Sequence, residues 1–523
     1  MVTAEPVLKD KNQMNKLRLI LGDQLNLQHP WFEEADPDCT YLMAEMRQET
    51  DYVRHHIQKI VAFFSAMRNF SSSLKEQGHK VIYLKINDEE NPQDLKELIH
   101  KYIDKLKADK FEYQLPDEFR LDQQLKEIAT SLDISSDYSD THHFLTSRGT
   151  LEEFFEGKKQ LVMESFYRMM RKKHNIMIQD VEPEGGKWNY DQSNRKKWKG
   201  SPAIPPEYDL RKDVRKIITE IDKAGIKTIG KIDPQAFNWP TSRKESLEVL
   251  NYFAENLLQY FGDYQDALHT EQRFLFHSRI SFAMNSKMIS PKEVIDRVLE
   301  EYRKEKAEID ISQLEGFVRQ ILGWREFMRG VYWREMPEYK SKNALDNQNK
   351  LPDFYWTGDT KMNCLSHSIN QSLEEAYAHH IQRLMITGNY ALLTQTHPDE
   401  VDAWYLGVYI DAIEWVEITN TRGMSQFADG GIVATKPYVS SANYINKMGN
   451  YCSGCTYDHK KKTGDDACPF NALYWNFLDA KKESFKDNPR MGMMLNLLSK
   501  KDEEEMEDIR ARAREIIENP DQF

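Results

Sequence analysis

The chain has 523 residues, a formal net charge of −13, 30 % charged residues and five cysteines. That length holds two or three domains with full cores. No apolar run approaches the roughly eighteen residues that span a bilayer, and the cysteines are too sparse for a disulfide scaffold, so a soluble, cytoplasmic protein with reduced thiols is expected.

Residues 17–155 alternate strand and helix. Short buried strands are predicted at 17–21 and 41–43. A helix follows at 53–74, where Ile57, Ile60, Val61, Phe64, Met67 and Leu74 recur with helical period. Then come a strand at 80–86, a helix at 92–106, a strand at 111–115 and a helix at 117–132. This alternation predicts a doubly wound parallel sheet with helices on both faces, assigned to residues 1–155. The first turn, Leu21-Gly22-Asp23-Gln24-Leu25, has one glycine and no G-x-G-x-x-G, so ordinary dinucleotide binding is unsupported. Its strand end remains a natural ligand crevice, which Asp23, Glu45 and Glu49 would line.

Residues 156–240 read as a connector. It is basic at Arg168, Arg171-Lys172-Lys173 and Arg195-Lys196-Lys197-Trp198-Lys199, with Tyr167, Trp188, Tyr190 and Trp198 interleaved. Such a segment either tracks phosphates and offers rings to bases or is a solvated linker; composition leaves both open. Much of the negative excess sits in the tail, Asp502-Glu503-Glu504-Glu505-Met506-Glu507-Asp508, so the net charge does not argue against a nucleic-acid face elsewhere.

From about residue 208 the period is helical, most clearly at 246–261, 291–306, 312–332, 368–387, 399–417 and 472–478. Breaks fall at Pro240, Pro337, Pro352, Pro398 and Gly430-Gly431. An all-α domain is therefore expected over 241–523. Four stretches in it look chemical. Gln320 opens Gln320-Ile321-Leu322-Gly323-Trp324-Arg325-Glu326-Phe327-Met328-Arg329, where charge interrupts an apolar helix. His379-His380-Ile381-Gln382-Arg383 would put His380, Arg383 and Thr387 on one helix face. Trp404, Val408, Asp411 and Trp415 are spaced to share another, as core packing or as a relay of rings to a redox cofactor. Phe427-Ala428-Asp429-Gly430-Gly431, running on to Lys436-Pro437-Tyr438, permits close backbone approach.

Three cysteines fall within seventeen positions: Cys452-Ser453-Gly454-Cys455 and, twelve residues on, Cys468-Pro469. Cys364 lies upstream, and Cys39 lies near the N-terminus. A C-x-x-C with two further thiols suits a metal centre. From spacing alone, zinc, an iron–sulfur cluster and ordinary buried cysteines all stay open.

Taken together, Trp324-Arg325-Glu326-Phe327, His379-His380-x-x-Arg383, Met424-Ser425-Gln426-Phe427-Ala428-Asp429-Gly430-Gly431 and the four cysteines resemble the photolyase/cryptochrome superfamily over essentially the whole chain. More narrowly, the resemblance is to its iron–sulfur bacterial branch, the prokaryotic (6-4) photolyases. It implies FAD bent inside the helical domain and a 4Fe–4S cluster on Cys364, Cys452, Cys455 and Cys468, with Cys39 outside the pattern. A 6,7-dimethyl-8-ribityllumazine antenna would occupy the N-terminal crevice near Asp23, Glu45, Glu49 and Tyr52. Asp191 matches a position linked to a divalent cation such as Mg2+. The implied partner is UV-damaged DNA, bound by a monomer that reverses pyrimidine–pyrimidone (6-4) lesions by electron donation from light-excited reduced FAD.

The resemblance makes His380 the acid of the reaction with His379 in support, histidine being the side chain that exchanges protons near neutrality. Tyr438 and Tyr444 would line the lesion pocket. Arg383, Asp411, Gln320, Ser278 and Ser281 would contact FAD, the two serines in an altered form of the phosphate-holding motif. Glu417 stands where most of the superfamily has asparagine beside the flavin. Trp404, Tyr405 and Trp356 match the electron route of the branch. Two alternatives are a blue-light receptor with the same cofactors and a non-photochemical iron–sulfur protein that binds nucleic acid.

Overall fold

A computed structural model describes residues 14–304 and 308–523. The N-terminal domain is a five-stranded parallel sheet of β1 (Lys16–Leu19), β2 (Cys39–Ala44), β3 (Lys80–Leu84), β4 (Lys110–Gln114) and β5 (Ser135–Ser139), ordered β3-β2-β1-β4-β5. Leu19 stands between Leu42 and Tyr113 across the register. Alternating side chains divide the two faces. Cys39, Tyr41 and Met43 pack against α1 (Ile57–Glu76), in a core continuous with the helical half. Leu17, Leu19 and Leu42 pack beneath α2 (Leu95–Leu106) and α3 (Phe119–Thr130). The strand order reverses between β1 and β4, which opens a crevice at their C-terminal ends, where doubly wound sheets bind ligands. β5 is the one strand of this sheet without a sequence forecast. It is a polar edge strand, Ser135-Ser136-Asp137-Tyr138-Ser139, almost wholly exposed, and has no apolar period to reveal it.

The helical half follows the expected segments with three corrections. The 368–387 helix is two: Asn363–Glu375 ends at Ala376, whose φ of 53° is left-handed, before a widened turn over Gln382–Gly388. The 399–417 helix is also two, Pro398–Val408 and Glu414–Ile418. Asp411 sits in the loop between them, so Trp404, Val408, Asp411 and Trp415 do not share a helix face. Lys59 of α1 causes the break in part, because its Nζ donates to the carbonyls of Leu406 and Ala412, each at 2.6 Å. The 312–332 segment carries a widened turn, Arg319–Arg325, between Ile311–Val318 and Glu326–Glu335. The helix at 291 begins on a Ser290/Glu293 capping box and runs Pro291–Tyr302; its forecast end at 306 lies outside the described residues.

The connector is not a uniform basic strip. Arg171 is buried and donates to the carbonyls of Ile176 and Trp188, and Tyr167 and Trp198 belong to the core. Arg168, Lys172, Lys173, Arg195, Lys196 and Lys199 remain exposed. No helix of the described residues is long and apolar enough to cross a membrane.

Candidate functional site

The centre of the helical half is the Arg383–Asp411 pair. Arg383 reaches Asp411 with both Nη atoms, at 2.9 and 3.2 Å, and gives its Nε to the Ala378 carbonyl. The Ser281 hydroxyl donates to Asp411 at 2.7 Å, and Asn285 holds the Asp411 carbonyl. Ser281 is thus tied to the carboxylate. Ser278 lies apart, on a cleft with Trp239 and Arg279. Gln320 bonds back to the Gly316 carbonyl and lies 3.5 Å from Gln265. Glu417 is buried and its Oε1 has no partner; burial, aided by Asp402, pushes its carboxyl well above the usual range, so it is a neutral acid.

A histidine group borders this pair. His277 and His379 are buried and stacked, with centroids 4.8 Å apart, and His380 stands edge-on to both. His380 is half exposed and its Nε2 is 3.2 Å from Asp266. Burial lowers His277 to about 3 and His379 well below the ordinary value, so both are neutral. Tyr438 and Tyr444 are raised by burial; Asp191 and Arg195 act on both rings, and Asp266, the partner of His380, acts on Tyr444. Asp191 itself is engaged by Arg195 and lies 3.5 Å from Arg319, so a divalent cation would have to displace arginines there.

Aromatic rings lead outward from Arg383. Its guanidinium lies 3.9 Å from the Tyr409 centroid. Trp404 is 5.2 Å from Tyr405, 5.7 Å from Tyr409 and 5.2 Å from Tyr355, and its indole N–H donates to the Tyr355 carbonyl. The next residue, Trp356, is exposed.

Cys364, Cys452, Cys455 and Cys468 all line one small cavity, with Tyr451, Tyr457 and Phe470. All are free thiols. Burial raises Cys452 to about 11, Cys468 to about 12 and Cys364 well above the ordinary thiol value, and the sulfurs add to one another's shifts. Among the described residues no three of these sulfurs lie within 4.8 Å of one another. Cys39 is remote, the first residue of β2.

The crevice of the sheet is a partly open cleft of about 1140 Å³, counted out to its mouth. Asp23, Glu45, Glu49 and Tyr52 line it, as expected, with His55, Lys59 and Glu118. Glu45 has no spare oxygen, since it accepts from Arg68, Tyr83 and the Ile86 N–H. Asp23 pairs with Lys287 and Glu49 with Arg120. The open polar group is instead His55, with both ring nitrogens unpartnered; Glu118, which burial, Glu49 and Glu414 raise to about 8, is held by Arg120 at 2.7 Å.

Sequence reasoning missed Lys59, Glu118, Asp266 and His277. Lys59 had a signal, a lone cation among the apolar residues Ile57, Ile60 and Val61. His277 adjoined the quoted serine motif. Asp266 and Glu118 had none, because exposed loop acids are common.

Comparison with known proteins places this arrangement. Residues 18–239 match the family described as deoxyribodipyrimidine photo-lyase-related protein. Over 97 % of the chain and 100 % of the relative, it is 39 % identical to a (6-4) photolyase from Agrobacterium fabrum. The fold resembles a bacterial class III photolyase from Agrobacterium tumefaciens at a TM-score of 0.55, with 15 % identity over 92 % of this chain and 93 % of that one. It also resembles a Synechocystis cryptochrome at 0.52, with 12 % identity over 84 % and 89 %. The chain belongs to the photolyase/cryptochrome family, in the branch of the Agrobacterium (6-4) photolyase.

Proposed function

We propose that the protein is a light-driven DNA-repair enzyme acting on pyrimidine–pyrimidone (6-4) lesions. The observation that carries this reading is the histidine group: a half-exposed His380 held by Asp266 and edge-on to buried His379, one turn from the Arg383–Asp411 pair. When bound in the helical half, reduced FAD supplies the photoexcited electron. Arg383 would offset anionic charge there, and Asp411, fixed by Ser281 and Asn285, would accept from the ring edge. Glu417, held protonated, is able to donate a hydrogen bond where a carboxylate would repel. A flipped-out lesion would meet His380 at the surface. Asp266 orients the His380 ring for proton delivery to the lesion's migrating oxygen. Neutral His379, edge-on to His380 and stacked on His277, does not compete for that proton.

The four cysteines are assigned to a 4Fe–4S cluster. What supports this is that all four, Cys364 included though distant in the chain, line one small cavity, as the family resemblance implies. The sheet crevice is assigned to an antenna of the ribityllumazine class, read by His55, Glu118 and Tyr52 rather than by Glu45. The exposed connector cations are the phosphate contacts.

The test is illumination of reduced protein with lesion-bearing DNA, wild type beside His380→Ala. The variant should keep its flavin and lose (6-4) repair; equal turnover would remove His380 from the role.

A further inference from the structure

We propose that His277, His379 and His380 form a site for one divalent transition-metal ion of the nickel or zinc kind, and that its occupancy blocks proton delivery by His380. The first clause stands on geometry alone; the second rests on the repair reading above.

One ligand atom from each of the three rings falls within 4.8 Å of the others, and this is the sole such group among the described residues. Two of its nitrogens, His277 Nε2 and His379 Nδ1, are buried without a hydrogen-bond partner, an arrangement that is costly unless something engages the lone pair or proton. The rings are also oriented in the manner of metal ligands. A ligating imidazole gives its other nitrogen to a carbonyl or carboxylate. Here three consecutive residues supply those partners. The Gln265 backbone bonds to His277, the Asp266 carboxylate holds His380, and the Ala267 backbone bonds to His379. Half-exposed His380 leaves an entry path. Imidazole ligands favour nickel, copper, zinc and iron over magnesium or calcium, which prefer oxygen. A nitrogen of His380 that binds a cation has no proton to give, so metal and catalytic acid exclude each other.

The experiment is calorimetric titration of tag-free, cofactor-loaded protein with Ni2+ in the presence of excess Mg2+. One saturable equivalent is expected in wild type, weakened about tenfold or more in His277→Phe and less in Asp266→Asn. Failure to saturate, displacement by Mg2+, or undiminished binding in His277→Phe would overturn the site. If circular dichroism shows His277→Phe to be unfolded, electron paramagnetic resonance of Cu2+ on wild type decides, since fewer than three coordinated imidazole nitrogens overturns the assignment. Repair measured across the Ni2+ titration should fall in step with occupancy; an unchanged rate at saturation overturns the second clause. A protein that repairs nothing even without Ni2+ would refute the repair reading, while calorimetry would still decide the site.

Discussion

Lys59 Nζ, in the sheet domain, lies 2.6 Å from the carbonyl oxygen of Ala412, in the loop that holds Asp411. Its second bond, to Leu406, ties the other end of the same loop, and His56 adds a backbone bond to Gly407. One helix of the N-terminal domain thus shapes the loop whose carboxylate faces Arg383.

Lys59→Met should loosen that loop. Two carbonyls lose their donor in a buried place, at about 1–3 kcal/mol each. Thermal unfolding should begin earlier, and flavin retained through gel filtration should drop. Unchanged melting and flavin content would mean that the loop is held by other contacts.

Asp411→Asn strands the Arg383 guanidinium in a mostly buried setting, an event that costs about 3–5 kcal/mol. Arg383→Met combined with Asp411→Asn should cost less than the sum of the two single changes. Strict additivity in chemical denaturation would show the pair to be uncoupled.

Trp404→Phe keeps the packing against Tyr355 and Tyr405 and removes the readily oxidised indole. Photoreduction of bound flavin, followed by transient absorption, should slow severalfold, and dark stability should fall modestly, since the smaller ring leaves a cavity and the Tyr355 carbonyl loses its donor. An unaltered rate would take Trp404 off the electron route.

Cys452→Ser should abolish iron and acid-labile sulfide and lower the melting temperature, since metal-binding energy is folding energy for such a site. Stoichiometric zinc in the wild type, with no iron after anaerobic purification, would replace the cluster reading.

Acid sensitivity should follow from buried neutral histidines. Burial lowers His56 to about 4 and His277 to about 3, and drives His55, His143 and His379 well down. A base with a depressed folded pKa binds its proton more readily unfolded. The stability it contributes is therefore full above the unfolded value near 6.5 and is lost as pH falls towards the folded one. His56 alone amounts to ~3 kcal/mol. Denaturant midpoints should decline steadily from pH 6.5 to 4.5; a flat profile there would contradict the burial of these rings.

Much of this was legible along the chain. Helix and strand periods reflect which side chains must leave water, and that demand is local, so β1 to β4, α1 to α3 and most later helices stand in the expected places. The four cysteines and the His379-His380-x-x-Arg383 spacing likewise declared themselves. β5 did not, because an edge strand of serines is held by backbone bonds to β4 and carries no apolar signal. The break before Asp411 did not either, because a lysine some 350 residues earlier in the chain supplies its donor.

By itself, then, the order of residues settled the fold class and the family and singled out the thiols and histidines as candidates, since these depend on side-chain type and short-range spacing. Tertiary structure decided which groups remain free to act. It spent Glu45 on Arg68 and Tyr83, left His55 open in the crevice, and brought His277 beside His379 across about a hundred residues. Availability of a lone pair or a proton is set by whoever stands within hydrogen-bonding reach, and that is a property of the packed chain alone.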